Sequence, residues 1–228
     1  MLESMVRHGA ARSDALVLGA LFLGEVASAY QIGTIYAALP SLRRGFADPV
    51  AVGWTITSAF LVSAMVAALC GRLGDLLGRR ATLLVVLATC AAGSLISALS
   101  SALSGVIIGA ALQGVAGAVL PLCFGLVREH LQPARVPFAI GTVVAGGGLG
   151  PAVALLLGGV VVDHFSWRGA FLGSALVDLA GLAAAWWAVP GSTSAPRGAS
   201  DIDMVRGVLF APAIGGLLLC LSKAHEWG

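Results

Sequence analysis

Charge is scarce in this sequence. Of 228 residues, 13 are Lys or Arg and 11 are Asp or Glu, 11% in all, where a water-soluble domain carries roughly 25%. With a mean hydropathy of +0.96, that scarcity argues against a soluble enzyme. The net charge of +2 comes from cations spread along the chain, so no basic patch for nucleic acid is expected. Cysteine is equally thin. Cys70, Cys90, Cys123 and Cys220 lie far apart without a Cys-x-x-Cys pair and read as small core-filling thiols. His8, His130, His164 and His225 fall between apolar runs and none has metal-ligand spacing, so no metal site is expected.

What the chain has is long apolar runs: Ala15 to Leu39, Ala51 to Cys70, Ala81 to Ser100, Ala102 to Val127, Phe138 to Val162, Gly169 to Val189 and Gly207 to Ser222. Together they hold two charged residues, Glu25 and Asp178. Twenty helical residues rise about 30 Å, the thickness of the hydrocarbon core, and lipid-exposed backbone must satisfy its own hydrogen bonds, so each run is expected to be a transmembrane helix. The first is too long for a signal-peptide core and is read as a retained span. The last is the weakest, with Pro212 inside it. The Pro/Ser/Gly-rich stretch 190–206 reads as a cytoplasmic linker between a six-helix unit, 15–189, and a seventh helix with a short tail, 207–228. With residues 1–14 cytoplasmic, Arg7, Arg12, Arg72, Arg79, Arg80, Arg128, Arg135, Arg197 and Arg206 stand inside, against Arg43, Arg44, Arg168 and Lys223 outside. That bias predicts an N-in, multi-pass protein of the cell membrane.

Gly71-Arg72-Leu73-Gly74-Asp75-Leu76-Leu77-Gly78-Arg79-Arg80 is expected to be a cytoplasmic loop between the second and third spans. Its glycines would let helix ends approach, Asp75 could sit at a helix N-terminus or pair with arginine, and Arg79 and Arg80 could anchor at anionic headgroups. The segment resembles the signature loop of the major facilitator superfamily. Ala37-Ala38-Leu39-Pro40 closes the first span as in that family. Gln113-Gly114-x-x-Gly117-Ala118 is similar to its fourth-helix motif, and the segment from Gly146 to Gly159, with Gly150, Pro151, Gly158 and Gly159, to the fifth helix of its antiporter branch. Trp167-Arg168-x-x-Phe171 resembles the entry to the sixth. The small residues have a packing role open to them as well. A loose echo of Gly71, Asp75 and Arg79 recurs at Gly159, Asp163 and Arg168.

The resemblance to 14-helix drug/proton antiporters implies an all-α membrane fold: a six-helix bundle of two inverted three-helix repeats, plus a seventh helix. It also implies efflux of small amphipathic or cationic compounds, driven by a proton gradient with no cofactor. Three positions depart from the family. Ala110 stands where its arginine would be, Gln31 stands where the antiporter branch has an aspartate in the first helix, and Ala154-Leu155 replaces a Gly-Pro. Glu25 and Asp178 are the acids left inside the spans. An ionised side chain at mid-bilayer costs about 2.5–3.5 kcal/mol on insertion scales, so each should face a partner, water or the bundle interior. Each is a candidate for proton or substrate charge, or a neutral carboxyl bonded locally. The family's second bundle is missing from the seven spans, so the expected partners are the bilayer, a small-molecule substrate and a second bundle from another copy or chain. A transport-inactive module binding partner helices is the alternative. An enzyme would need a nucleophile and base within the spans, and none is visible.

Overall fold

The computed structural model describes residues 2–191, with side chains from Asp14 onward except at positions 68, 70–73, 75 and 76. The seventh span, the tail and nearly all of the linker therefore lie outside the described residues, as do the surroundings of Gly71 and the side chain of Asp75. The helices are α1 (Leu2–Gly45), α2 (Pro49–Leu77), α3 (Arg79–Leu99), α4 (Leu103–Gln113), α5 (Val119–His130) and α6 (Val136–Ala188). A 3-10 turn, Gly114–Ala118, joins α4 to α5, and a shorter one, Pro133–Arg135, precedes α6. No strand occurs among the described residues. Five stretches are long and apolar enough to cross a bilayer: Asp14–Gly45, Pro49–Ala67, Arg79–Leu99, Leu103–His130 and Pro133–Ala188. The last has 56 residues, about 84 Å of helix, more than twice a hydrocarbon core. It bends at Ser166, whose backbone is non-helical at φ 62, ψ −179. The fifth and sixth spans are thus α6 before and after Ser166, and six spans are described in all.

Three expected boundaries differ. The segment 71–80 is not a loop: α2 continues to Leu77, Gly78 alone breaks the helix at φ 86, ψ 134, and α3 starts at Arg79. Gly74 is buried, and a Cβ there would lie 3.0 Å from Leu122 Cδ2, so this glycine permits close packing rather than making a turn. Pro40 does not close the first span, because α1 runs through it to Gly45. One missing N–H is tolerated where neighbouring helices hold the element. The fifth and sixth spans are separated by a one-residue break rather than a loop. At the start of α2, by contrast, the sequence signals are met directly. Pro49 opens the helix and Asp48 Oδ1 accepts from the backbone N–H of Val50 and Ala51 at 2.9 and 3.0 Å.

The helices pair as two related sets. The first span packs on the fifth, where a Cβ on Gly33 would lie 2.6 Å from Ala154 Cβ and 2.7 Å from the Pro151 carbonyl oxygen. The second packs on the fourth, where a Cβ on Gly114 would meet the Ala59 carbonyl and Val62 Cβ. In both pairs the contacted residues are a carbonyl and a side chain three positions further on. At the helix ends the relation returns. Arg80, opening the third span, donates to the Trp186 carbonyl oxygen at the end of the sixth (2.7 Å). Arg168, opening the sixth, donates to the Ser100 carbonyl oxygen at the end of the third (2.9 Å). Each arginine also lies over a tryptophan ring, Trp186 and Trp167 respectively. Exchanging spans 1, 2 and 3 for 4, 5 and 6 maps the glycine contacts and the two arginine–carbonyl hydrogen bonds onto one another, while the ring contacts differ, Trp186 lying across the repeats and Trp167 beside its own arginine. Since a three-helix unit ends on the opposite side of the membrane from its start, the units are inverted. The echo at Gly159, Asp163 and Arg168 is the trace of this relation, with Arg168 answering to Arg80 rather than Arg79.

Close backbone contact makes some glycines irreplaceable. A Cβ on Gly150 would lie 2.6 Å from the Val26 carbonyl oxygen and 2.8 Å from the Tyr30 nitrogen, whereas Gly148 has nothing within 4 Å. Gly150→Ala should therefore cost about 1–3 kcal/mol through forced helix separation, and Gly148→Ala should be neutral or slightly stabilising. Unfolding of both variants in mixed micelles checks this; equal losses would remove the close contact as the cause.

Candidate functional site

The two helix pairs leave a cleft of about 420 Å³ between them. Spans 1, 2, 4 and 5 line it, and its walls are mainly apolar, including Ile32, Tyr36, Ile56, Phe60, Leu120 and Val144. Among the described residues, Glu25 is the one charged side chain on the lining, beside a few neutral polar groups: Ser28, Gln31, Ser63 and Gln113. Glu25 is 6% exposed. Its Oε2 accepts weakly from Ser28 Oγ at 3.4 Å, while Ser28 Oγ also donates to the Glu25 carbonyl oxygen at 2.9 Å. Gly147 makes room for the carboxylate, since a Cβ there would stand 3.0 Å from Glu25 Oε1.

Asp178 does not reach the cleft. It is fully buried in the sixth span, where Oδ1 accepts from Gln31 Nε2 at 2.9 Å and Oδ2 from Ser94 Oγ at 3.0 Å. Ser174, one turn earlier, lies 3.5 Å from Ser94, oxygen to oxygen. The first, third and sixth spans meet at this cluster, and Gln31 alone among these residues also borders the cleft. Gln31 Oε1 is buried without a hydrogen-bond partner. Gln113 makes the matching contact in the other repeat, donating from Nε2 to Ser97 Oγ of the third span at 3.2 Å, with its own Oε1 unpartnered.

Among the other residues singled out from the sequence, Arg79 donates to the Gly125 carbonyl oxygen at 3.1 Å and lies across that glycine. Arg79 and Arg80 thus tie the third span to the fourth and sixth. Gly114, Gly150, Pro151 and Gly158 stand where helices touch, Gly158 against Ala37, whereas Gly159 meets nothing within 4 Å. Ala110 is fully buried in an apolar cluster with Leu42, Val52 and Phe171, a site with no room for arginine. Ala154 is buried against Gly33 and Leu155 is exposed. Sequence reasoning missed Ser94, Ser97 and Ser174. The available signal was weak: Ser174 precedes Asp178 by one helical turn, and Ser94 and Ser97 are polar residues inside an apolar run.

Comparison with known proteins places this geometry. The pattern of the Major Facilitator Superfamily matches residues 21–222. An uncharacterized MFS-type transporter of Mycobacterium tuberculosis is 31% identical over 220 residues, covering 93% of this chain and 31% of the relative. The tetracenomycin C resistance and export protein of Streptomyces glaucescens is 31% identical, over 88% of this chain and 39% of its own length. The cephamycin export protein of Amycolatopsis lactamdurans is 33% identical, over 87% and 42%. The chain thus spans between about a third and a half of these relatives. Among solved structures, a peptide transporter POT with bound sulfate superposes with a TM-score of 0.71 at 17% identity, covering 91% of this chain and 45% of that one. The xylose transporter XylE from E. coli, partially occluded and inward open, gives 0.66 at 18% identity, over 93% and 54%. The chain belongs to the major facilitator superfamily: a multi-pass, all-α membrane protein of a family of transporters rather than enzymes.

The Asp178 cluster sets a stability test. Removing its carboxylate by Asp178→Ala strands Gln31 Nε2 and Ser94 Oγ in the interior and should cost about 1–3 kcal/mol; Asp178→Asn keeps an acceptor and should cost less. Reversible unfolding of both variants in mixed micelles measures the difference, and an alanine variant as stable as the asparagine one would contradict the buried hydrogen bonds.

Proposed function

We propose that this bundle forms one side of a proton-coupled exporter of small amphipathic or cationic compounds, set in the cell membrane with its N-terminus in the cytoplasm. The observation that carries the reading is a single carboxylate, Glu25, on the wall of an otherwise neutral and largely apolar cleft. An apolar wall binds the body of a lipophilic compound, and one buried acid selects a positive charge. The names of the relatives that export tetracenomycin C and cephamycin support export as the direction and drug-like molecules as the class. The arginine count on the two sides of the membrane supports the orientation.

In this mechanism Glu25 attracts the cation and Asp178 carries the proton. Gly150, Pro151 and Gly158 let the first and fifth spans lie in backbone contact beside the cleft, Gly114 does the same for the fourth and second, and Gln113 ties the fourth to the third. Arg79 and Arg80, with Gly71, Gly74, Asp75 and Gly78, form the cytoplasmic edge that gates access. Large apolar side chains along the mouth, among them Ile32, Tyr36 and Phe60, are 40–47% exposed, and a second six-helix bundle packed over them closes the path. Another copy of the chain in the same orientation is one source of that bundle. Light scattering on nanodisc-embedded protein tests it: twice 22.9 kDa is the expected protein mass, and a persistent single copy rules that source out.

The substrate reading is tested with tetraphenylphosphonium, a lipophilic cation. Equilibrium dialysis against the chain in nanodiscs should show saturable binding, weakened at least tenfold, about 1.4 kcal/mol or more, in Glu25→Gln. In everted vesicles carrying the assembled transporter, uptake of the probe should follow the proton gradient and be lost in Asp178→Asn. Binding unchanged by Glu25→Gln would transfer cation selection elsewhere. Flux unchanged by Asp178→Asn would remove Asp178 from coupling, and binding without any energised flux would favour an inactive helix-bundle module.

A further inference from the structure

We propose that the Gln31 side-chain amide reports the protonation of Asp178 to the cleft by turning over. The inference rests on the proposed proton role of Asp178 and deepens it, supplying the link between a buried proton site and a substrate site that it does not touch.

Three observations carry it. Asp178 is fully buried, off the cleft, and accepts hydrogen bonds from two neutral donors, Gln31 Nε2 and Ser94 Oγ. Gln31 is 2% exposed and borders both Asp178 and the cleft. Its Oε1 has no partner, although a buried carbonyl left unpaired is costly. This set of bonds suits an ionised carboxylate, which only accepts. When a proton settles on Oδ1, the new O–H must donate, and the Nε2–H facing it can no longer be accepted there. Rotating the amide by half a turn resolves both conflicts at once. Oε1 comes to face Asp178 and accepts its proton in a hydrogen bond, and the orphaned acceptor is satisfied. Nitrogen and oxygen are nearly the same size, so the turn needs no repacking. The proton stays on Asp178, and the one further contact exchanged is that of the Gln31 amide with the Cys90 thiol, a weak donor and weak acceptor that can bond either amide edge.

The consequence falls on the cleft. With Asp178 ionised, the edge of Gln31 turned away from it is a carbonyl oxygen, which adds to the negative field of Glu25. With Asp178 protonated, that edge is an NH2 group with its hydrogens outward, which opposes a cation. Proton and cationic substrate are therefore antagonists linked through one amide, and linkage makes the antagonism reciprocal. The other groups packed around Asp178 do not duplicate this role. On the third span these are Ser94 and the Cys90 thiol, and on the sixth Ser174; none of them lines the cleft. On the first span Glu25 stands at the cleft, separate from the cluster.

Two measurements on the full chain in nanodiscs test the inference. The first is read on the parent chain, with variants used only to assign its bands. The chain contains three glutamines, Gln31, Gln113 and Gln132, so infrared difference spectra between high and low pH, with the glutamine side-chain carbonyl carbon isotopically labelled, isolate a small set of amide bands. The expected result is a carboxylic acid band, absent in Asp178→Asn, that appears together with a shifted glutamine band absent in Gln31→Leu. An Asp178 band with no glutamine shift overturns the amide turn and leaves Asp178 as proton carrier. Absence of an Asp178 band overturns the inference together with the proton role on which it rests.

The second is a double-mutant cycle on tetraphenylphosphonium binding. An amide at position 178 can donate to Gln31 as a protonated acid does. Asp178→Asn should therefore weaken binding about fivefold in the parent chain, the low end of typical coupling, and less than twofold in the Gln31→Leu background. Equal losses in both backgrounds overturn the proposal. If the parent chain does not bind the cation, the cleft reading fails and the infrared result decides the amide turn.

Discussion

Where the fifth span crosses the first, the two backbones are separated by little more than van der Waals contact, because Gly150 carries no Cβ to hold it off the Val26 carbonyl oxygen and the Tyr30 nitrogen. In lipid no hydrophobic force drives helices together, so such contact is where packing energy comes from. Gly33 repeats it about one turn away, and Gly114 and Gly117 repeat it between the fourth and second spans. The rest of the bundle follows from these crossings. They bring Gln31 to a depth where it meets both the cleft and the sixth span, and they hold apart the mouths of the two pairs, which opens a cavity instead of a filled core.

The inverted pairing explains why one polar contact occurs twice in different chemical form. Gln31 faces Asp178 and Gln113 faces Ser97, each glutamine joining an inner helix to an outer one of the other repeat. Geometry is shared and charge is not. Ser97 also bonds the Val106 carbonyl oxygen at 3.3 Å, which makes that contact a structural tie, while Asp178 adds the one ionisable group. Buried apolar neighbours around Ala110 account for the missing arginine: the pocket beside Leu42, Val52 and Phe171 is filled by hydrocarbon, and a guanidinium there would have no compensating carboxylate.

The first six spans, the two acids inside them and the position of the repeat junctions were legible in the sequence, because hydropathy and isolated charges in apolar runs are local properties; the seventh span lies outside the described residues. The boundaries were less so. Glycines at 71, 74 and 78 look alike on paper, yet Gly78 alone leaves the helical region and Gly74 is consumed by contact with Leu122. Pro40 and Ser166 show the reverse failure: proline did not end a helix, and a serine with positive φ broke one. Neither is decided by the residue itself, only by what its neighbours impose. The site divides in the same way. That Glu25 and Asp178 matter could be read from their cost in lipid, but which of them faces the cleft depends on the rotation of two helices fixed by distant glycines.

The Asp178 contact also alters the meaning of Gln31. By resemblance to the antiporter branch, an aspartate is expected at position 31, and its absence reads as loss of a proton site. In the folded bundle position 31 touches position 178 at 2.9 Å, so the acid is present at the same junction, carried by the sixth span instead of the first. An aspartate at both positions would set two carboxylates against each other in a site without a cation to separate them, and one would have to remain protonated. Gln31 is then the complement that a relocated acid requires: a donor to the carboxylate, an acceptor for the acid, and a neutral group in either state. Judged by position alone an acid is absent; judged by contact, one stands across a single helix interface from position 31.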